Sequence, residues 1–372
     1  MIFLINGSDL KAGGGIQVCD SICCELQNYP QHHFIVVLSS FLKMTAERIA
    51  NYNNVEVFFY DYPKYNIRLL LTGRDKFMDN LVKTKNIQGV LSVFGPNLWI
   101  PLCPHISGFA RSHLIITDSP YFARMKTVEG IKEKLMNVVL KYFFKRSSKF
   151  FYTENPYITE QLEILIPGTT VYTITNNYNQ IFDQTEKWKK KELPPFDGTS
   201  FLCISAPYPH KNLSIAIDVA KIWMKTKPDF KFRFVYTINP SDFPSLTPEL
   251  ASHFLLIGKV DVSECPSLYE QCDVSFQPTL LECFTATYPE SMRMKKPIVT
   301  TDMEFARGIC KDAACYYSPI DSQEASEALY KVATEKEYAE KLVINGVNQL
   351  KEYDTYKQRA EKLIKILEEI SN

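Results

Sequence analysis

Short apolar runs alternate along this chain with longer amphipathic stretches. In the first half the runs are IFLI, FIVVLSS, VEVFFYD, GVLSVFG, HLIITD and FFYTEN, and each predicts a buried strand. Helical patterns such as MTAERIANY and GIKEKLMNVVLKYFFK separate most of them. Strands that are apolar on both faces and alternate with helices indicate an α/β fold, with a parallel sheet covered on both sides.

The same pattern starts again after a polar interruption. Residues 183–200 are charged, contain a proline pair and lack apolar periodicity, so they are predicted to be a linker. Beyond them come SFLCIS, FRFVYTI, FLLIG, CDVSFQP, PIVTTD and AACYYS, again spaced by helical segments. We therefore predict two Rossmann-like domains, 1–182 and 201–352, facing one another across a cleft that holds the ligand. Residues 353–372 are predicted to form an amphipathic helix that packs back onto the protein, with the N-terminal domain as one candidate surface.

The composition excludes some classes of protein. Lys plus Arg and Asp plus Glu number 42 each, and this balance weighs against a nucleic-acid binder. None of the ten cysteines forms a CxxC pair and several lie in apolar runs, which indicates buried thiols in a reducing compartment. The first residues, MIFLINGSD, lack the features of a signal peptide, and no apolar stretch reaches the length of a membrane span. We expect a cytoplasmic protein.

The segment LECFTATYPE at 281–290 contains two carboxylates, Glu282 and Glu290, on either side of CFTATYP. A helix is predicted from about Thr287 to Met294, with Pro289 tolerated in its first turn. The backbone N–H groups of 284–287 would then suit a phosphate, and a carboxylate on each side would suit vicinal sugar hydroxyls. The alternative is that Glu290 only satisfies the start of the helix and Glu282 is solvated. The spacing alone does not decide between the two.

A dinucleotide-binding dehydrogenase is the first class suggested by the glycine loop at 13–15. That class requires G-x-G-x-x-G and an acidic residue at the end of the second strand. The chain has GGGIQV instead, and FIVVLSS ends in serines, so this interpretation fails. No Asp-x-Asp pair occurs, so we predict no metal site. We also expect no cofactor.

Five motifs, in the correct order, resemble those of the retaining glycosyltransferases of family four, which have the GT-B fold. The donor-site signature is matched by ECF at 282–284, ESM at 290–292 and KPIV at 296–299. The other motifs are FLI with the glycine loop, ITNNYNQIF at 174–182, SAPYPHKNL at 205–213 and FLLIGKV at 254–260. The resemblance extends over nearly the whole chain.

The resemblance implies a metal-independent hexosyltransferase that acts with retention. It would move a sugar from a nucleotide diphosphate sugar, its co-substrate, to a saccharide or a lipid-linked glycan. The expected pathway is synthesis of a bacterial surface polysaccharide or glycoconjugate. Two alternatives stay open: a nucleotide-sugar 2-epimerase with the same paired domains, and a non-catalytic relative that binds glycans.

The resemblance also implies roles for particular residues. Glu282 would contact the transferred sugar, Lys211 would neutralise the diphosphate, and Glu290 would bind the ribose hydroxyls. The further expected donor contacts are Phe284, Thr285, Ala286, Gly258, Lys259 and Ser205, and the expected diphosphate or acceptor loop is Gly13, Gly14 and Gly15.

The chain departs from the family pattern at three positions. Ala206 replaces an arginine that shares the phosphate charge, and Thr285 replaces a glycine. Ala110 stands where the family often has a histidine, with Arg111 and His113 as the nearby candidates for its sugar contact.

The stretch 130–146 suggests peripheral contact with the inner face of a membrane. It places apolar residues along one helical face, and its remainder is basic, as in helices that lie on anionic bilayers. The alternative is that the apolar face packs on the sheet of the first domain, as crossover helices of this fold usually do.

Overall fold

The computed structural model describes residues 1–11, 13–62 and 66–372. The chain divides into two compact units. The first contains residues 1–117, 126–176 and 354–372, and the second contains 118–125 and 177–353. The short segment 118–125 therefore belongs to the second unit, although the chain around it belongs to the first.

The described residues form two sheets. The strands of the first unit are β1 (Ile2–Gly7), β2 (His33–Leu38), β3 (Val55–Phe59), β4 (Gly89–Ser92), β5 (His105–Gly108), β6 (Phe150–Thr153) and β7 (Thr170–Thr173). Those of the second are β8 (Thr199–Cys203), β9 (Phe232–Tyr236), β10 (Phe254–Leu256), β11 (Val274–Gln277), β12 (Ile298–Thr301) and β13 (Ala314–Tyr317).

Helices follow most of the strands. Up to residue 165 they are α1 (Gly14–Glu25), α2 (Lys43–Ile49), α3 (Ile67–Thr72), α4 (Lys76–Thr84), α5 (Ser112–Ile115), α6 (Pro120–Ala123), α7 (Thr127–Ser147) and α8 (Pro156–Leu165). The later ones are α9 (Ile215–Thr226), α10 (Pro248–Ala251), α11 (Cys265–Gln271), α12 (Thr287–Arg293), α13 (Glu304–Cys310), α14 (Ser322–Thr334), α15 (Lys336–Gln349) and α16 (Tyr356–Ser371). Among the described residues, none of these helices combines the length and the hydropathy of a membrane-spanning segment.

Both sheets are parallel and follow one topological rule. The strand order is β3-β2-β1-β4-β5-β6-β7 in the first and β10-β9-β8-β11-β12-β13 in the second. Each sheet therefore grows outward in both directions from a central pair, β1 with β4 and β8 with β11. This confirms the predicted α/β class with two Rossmann-like domains.

Burial of the strands explains why their sequences are continuously apolar. In β1 and β2 every residue after the first is buried, and the same holds for β8. Alternate residues point to opposite faces of a strand, so both faces must be covered. In the first sheet Phe3 and Ile5 pack in one core cluster, whereas Leu4 packs in another.

One predicted element is wrong, and two strands were not predicted. HLIITD was predicted to be a strand, but Ser112–Ile115 is helical. The strand before it is β5, with the sequence HISG, and β7, with the sequence TVYT, was also not predicted. Neither strand has a continuous aliphatic run. Their backbones are nevertheless paired with β4 and β6, which fixes them as strands through tertiary contacts.

The terminal helix α16 packs on the first unit. Leu363, Ile364 and Leu367 are buried in the core cluster that contains α1. Arg359 is buried, and its guanidinium donates a hydrogen bond to Asn176. The segment 188–198, within the predicted linker, contains no α-helix or strand and is part of the second unit. It hydrogen bonds to the rest of that unit, for example from Leu193 N to Gln271 Oε1 at 3.0 Å.

Candidate functional site

The second sheet has one position at which the chain leaves neighbouring strands in opposite directions. β8 and β11 are hydrogen-bonded neighbours, but β9 continues the sheet on one side and β12 on the other. The loops that follow β8 and β11 therefore diverge, and in open parallel sheets this opening is where ligands bind. Residues 204–214 and 278–286 form these two loops.

An ion pair joins the two loops. The Lys211 ammonium donates to Oε1 of Glu282, and the Thr279 hydroxyl donates to the same oxygen at 2.9 Å. The side chains of Lys211 and Glu282 are only 17% and 13% exposed. His210 Nε2 lies 4.0 Å from the same carboxylate. Glu282 is therefore a partly buried, paired carboxylate and not the solvated residue of the alternative interpretation.

Hydrogen bonds to backbone carbonyls hold the two loops in place. The Leu280 N–H donates to the carbonyl of His210 at 2.8 Å, and the Thr301 hydroxyl donates to the carbonyl of Thr279 at 2.6 Å. Asn212 directly follows the lysine and adopts a left-handed backbone with φ of 50°, which asparagine tolerates better than most residues. The ion pair is thus supported by fixed backbone on both sides.

Glu290 is buried in the first turn of α12. Its Oε2 accepts a hydrogen bond from the Tyr269 hydroxyl at 3.3 Å, and both residues are buried. Burial raises the pKa of Glu290 to about 7, and the hydrogen bond from Tyr269 opposes this rise. The start of α12 at Ala286 has no side-chain cap, so this carboxylate bonds to Tyr269 and does not cap the helix.

The other predicted donor residues lie at the same edge of the sheet. Phe284 and Ala286 are half-buried in the β11–α12 loop, where Thr285 hydrogen bonds through its hydroxyl to that of Thr287 at 2.9 Å. Ser205 follows β8, and its N–H donates to the Thr237 hydroxyl at 3.0 Å.

Gly258 and Lys259 follow β10 at this edge. Gly258 has φ of +76°, and a Cβ there would lie 3.3 Å from Asn239 Oδ1, so a side chain would be strained. Its N–H donates to the carbonyl of Ile238 at 3.0 Å, which anchors the turn.

The segment 118–125 packs on these loops and was not predicted to do so. The Ser119 hydroxyl donates to the carbonyl of Leu280 at 2.7 Å, and Arg124 Nη1 donates to Asn212 Oδ1 at 2.7 Å. The ring of Tyr121 meets that of His210 edge-on, with 5.9 Å between centroids. The sequence of this segment, DSPYFARM, carries no motif, so no local signal could have placed it beside Lys211.

The glycine loop begins α1 in the first unit. Gly13 has φ of +70°, which favours glycine, and a Cβ on Gly13 or Gly14 would meet no atom of the described residues within 4 Å. A Cβ on Gly15 would lie 3.1 Å from Leu10. The loop therefore has open space above its first two glycines.

Arg111 and His113 lie beside α5 in the first unit. Arg111 is exposed and immediately precedes the helix. His113 is half-buried, and its carbonyl accepts a hydrogen bond from Asn137 Nδ2 at 2.9 Å.

Asp9 is a candidate that the sequence analysis did not select. It follows β1 at the central strand pair of the first sheet, and Asn97 Nδ2 donates to its Oδ2 at 3.5 Å. Burial raises its pKa to about 6. In the sequence, the signal that could have identified Asp9 was an acidic residue two positions after a buried strand.

Metal binding has no support among residues 1–11, 13–62 and 66–372. No group of three or more His, Cys, Asp or Glu side chains in these ranges is arranged to hold a metal ion.

The buried carboxyl of Glu290 makes stability depend on pH. Because its pKa is raised from 4.5 to about 7, its contribution to the free energy of unfolding is lost as the pH rises through this window. We expect Glu290→Gln, which can still accept from Tyr269, to be more stable than wild type at pH 8. The difference in free energy of unfolding between the variant and wild type should be larger at pH 8 than at pH 5 by on the order of 2–3 kcal/mol, as measured by urea unfolding. Glu340→Gln, at a largely exposed position on α15, is the control. Equal differences at both pH values would contradict the assigned burial.

Comparison with known proteins identifies the second unit. Residues 184–349 match the family model for glycosyl transferases group 1. The O-antigen chain mannosyltransferase RfbU of Salmonella typhimurium is 21% identical over 161 residues, which cover 42% of this chain and 43% of that protein. The matched region thus spans less than half the length of this curated relative.

Solved structures match over nearly the full length. Sucrose-phosphate synthase from Thermosynechococcus elongatus is similar with a TM-score of 0.69 and 12% identity, covering 99% of this chain and 98% of that one. HepE from Anabaena, in complex with UDP-glucose, gives a TM-score of 0.68 and 14% identity, covering 99% of both chains. Residues 184–349 therefore match the glycosyl transferases group 1 family, and the chain has the GT-B fold.

Proposed function

We propose that this protein transfers a sugar from a nucleotide diphosphate sugar to a glycan acceptor with retention of configuration. The observation that carries the proposal is the Lys211–Glu282 ion pair at the opening between β8 and β11, inside the segment that matches the family model. The bound UDP-glucose of HepE supports a nucleotide-sugar donor. Among the described residues we assign no covalent nucleophile, and the proposed route is attack on the front face of the sugar.

Lys211 and Glu282 have complementary roles in this proposal. The donor diphosphate replaces Glu282 as the partner of the Lys211 ammonium, and the sugar hydroxyls donate to the carboxylate of Glu282. Each charge therefore exchanges one partner for another when the ion pair opens. Lys211 then stabilises the negative charge that develops on the leaving diphosphate, an effect that is strongest in a site shielded from water.

Glu290 is proposed to bind the ribose. Vicinal hydroxyls are two donors that a single carboxylate can accept, and the second unit holds this carboxylate close to the loop that carries Glu282. Because its pKa is raised to about 7, the Glu290 carboxyl is partly protonated near neutral pH. Donor binding should shift it to the ionised form, since charge-assisted hydrogen bonds are stronger than neutral ones.

The reaction exchanges one bond to the anomeric carbon for another. The bond from this carbon to the diphosphate oxygen breaks, and the bond to the acceptor oxygen forms on the same face. The acceptor proton passes to an oxygen of the departing diphosphate, so no protein base is required. The resident groups act by positioning and by electrostatic stabilisation.

Arg124 is proposed to supply part of the positive charge that the family draws from an arginine at position 206. Its guanidinium donates to Asn212, the neighbour of Lys211, and the side chain is exposed. A donor diphosphate bound by Lys211 would lie close to this second cation. The segment 118–125 would then contribute directly to donor binding.

The acceptor is proposed to be a saccharide or a lipid-linked glycan, bound by the first unit near Gly13, Gly14 and Gly15. The open space above this loop and the similarity to an O-antigen mannosyltransferase support this class. The pathway would then be assembly of a bacterial surface polysaccharide or glycoconjugate at the cytoplasmic side of the membrane.

A binding screen followed by turnover tests the proposal. UDP-, GDP- and ADP-sugars are compared by ligand-detected NMR, and the best donor is then incubated with and without saccharide acceptors. We expect one donor class to bind, and the product to keep the anomeric configuration of the donor. Epimerisation at C2 without an acceptor would identify a 2-epimerase. Glycan binding without turnover of any donor would identify a non-catalytic relative.

Lys211 gives the sharpest variant for this assay. We expect Lys211→Met to lower kcat by on the order of 10²–10³, because the leaving diphosphate loses its main cation. Lys221→Met, an exposed lysine on α9 that pairs with Asp218, should leave kcat unchanged. Urea unfolding checks that the variant is folded, since loss of one partner of a partly buried pair also destabilises. Unchanged kcat in folded Lys211→Met would remove the lysine from the mechanism.

Transfer is also expected to proceed without a divalent metal. The proposal assigns neutralisation of the diphosphate to Lys211, with help from Arg124, so EDTA should leave the rate unchanged within about twofold. A rate that falls with EDTA and returns with Mn²⁺ or Mg²⁺ would show that a metal performs this neutralisation.

A further inference from the structure

The helix α7 turns its apolar side to solvent. Six side chains that recur at helical spacing are 48–78% exposed, and we call them the α7 apolar surface: Val128, Ile131, Leu135, Val138, Val139 and Tyr142. This contradicts the alternative considered from the sequence, in which this face packs on the sheet. Monomeric proteins rarely expose a continuous apolar surface of this kind without a partner.

The opposite side of α7 attaches the helix to the first unit. Phe144 is fully buried, with its ring centroid 4.8 Å from that of Phe109 and 6.2 Å from that of Phe151. Asn137 Nδ2 donates to the carbonyl of His113 at 2.9 Å. These contacts fix the rotation of the helix about its axis. The exposure of the apolar surface therefore does not result from loose packing of the helix.

Basic side chains border the α7 apolar surface on both sides. At about 100° per residue, Lys132 flanks one edge, whereas Lys134, Lys141 and Lys145 flank the other. Residues 127–147 carry five Lys or Arg against two Glu, a net charge of +3, although the whole chain is neutral. All four lysines are exposed.

The helix α3 extends this surface beyond the end of α7. Arg146 Nη1 donates to the carbonyls of Leu70 and Leu71 at 2.9 and 3.1 Å, which ties the two helices together. On α3, Ile67 is 68% and Leu71 is 74% exposed. The guanidinium of Arg146 lies over the ring of Tyr142, 5.6 Å from its centroid. Two helices therefore present apolar side chains beside one another.

We propose that the α7 apolar surface, with Ile67 and Leu71 of α3, docks on the interface of an anionic lipid bilayer. Its apolar side chains would enter the boundary between headgroups and acyl chains. The lysines on both edges would reach the phosphate layer through their flexible stems. A second copy of this chain fits less well, because a two-fold pairing of α7 would bring basic edges together. This docking does not depend on the transfer reaction.

Liposome flotation with the full chain tests this proposal. Vesicles of phosphatidylcholine alone are compared with vesicles that also contain phosphatidylglycerol, at low and high salt. We expect wild type to float with the anionic vesicles at low salt, and less at high salt, because salt screens the lysines. Wild type that remains unbound with anionic vesicles would overturn the proposal.

Two variants separate the apolar and electrostatic contributions. Leu135→Ser/Val138→Ser and Lys141→Glu/Lys145→Glu should each lower the partition coefficient at least about tenfold, since a single lysine near an anionic surface is worth on the order of fivefold. Arg146 is left intact, because it holds α3. The matched controls lie on α15 and should float like wild type: Ile344→Ser, and Lys336→Glu/Lys341→Glu.

The controls also exclude the competing explanations. If the α15 charge variant lost flotation to the same extent as the α7 variant, binding would be non-specific and the proposal would be wrong. Sedimentation without lipid tests the second copy as occupant. A dimer that Leu135→Ser/Val138→Ser dissociates would assign the surface to self-association instead.

Discussion

The ion pair between Lys211 and Glu282 is the interaction on which the candidate site depends. It joins the loops after β8 and β11, where the parallel sheet reverses its strand order and the chain leaves the sheet in two directions. Opposite charges with so little exposure are stable only while each has a partner. A ligand that separates them must therefore offer an anion to one and hydrogen-bond donors to the other. A nucleotide diphosphate sugar carries both kinds of group on neighbouring atoms.

The cost of burying a charge also governs Glu290 and the lysines of α7, with different results. Glu290 accepts a hydrogen bond from the Tyr269 hydroxyl, and burial raises its pKa to about 7, so both protonation states of its carboxyl are populated near neutral pH. The lysines of α7 remain in water beside exposed apolar side chains. The first arrangement suits a small polar ligand, whereas the second suits an extended anionic surface.

Much of the fold could be predicted because buried strands such as IFLI and FIVVLSS need apolar residues on both faces. The strands HISG and TVYT escaped, since their pairing comes from neighbours and not from their own sequence. Glu282, Lys211 and Glu290 were selected through motif order, but the ion pair between Lys211 and Glu282 was not predicted, because spacing along the chain does not report contacts across a sheet. The position of Arg124 and the outward face of α7 likewise depend on tertiary packing that no local pattern records.

The central claim is that Glu282 and the donor diphosphate compete for the ammonium of Lys211. Calorimetric titration with the preferred nucleoside diphosphate, without its sugar, tests this most directly in wild type, Glu282→Gln, Lys211→Met and the double variant. Glu282→Gln should bind at least as tightly as wild type, because the lysine no longer has a competing partner. Lys211→Met and the double variant should both bind about 10- to 100-fold more weakly, as expected for loss of a charge-assisted contact. If Glu282→Gln weakened binding as much as Lys211→Met, the two residues would support the diphosphate together, and the proposed exchange of partners would be wrong.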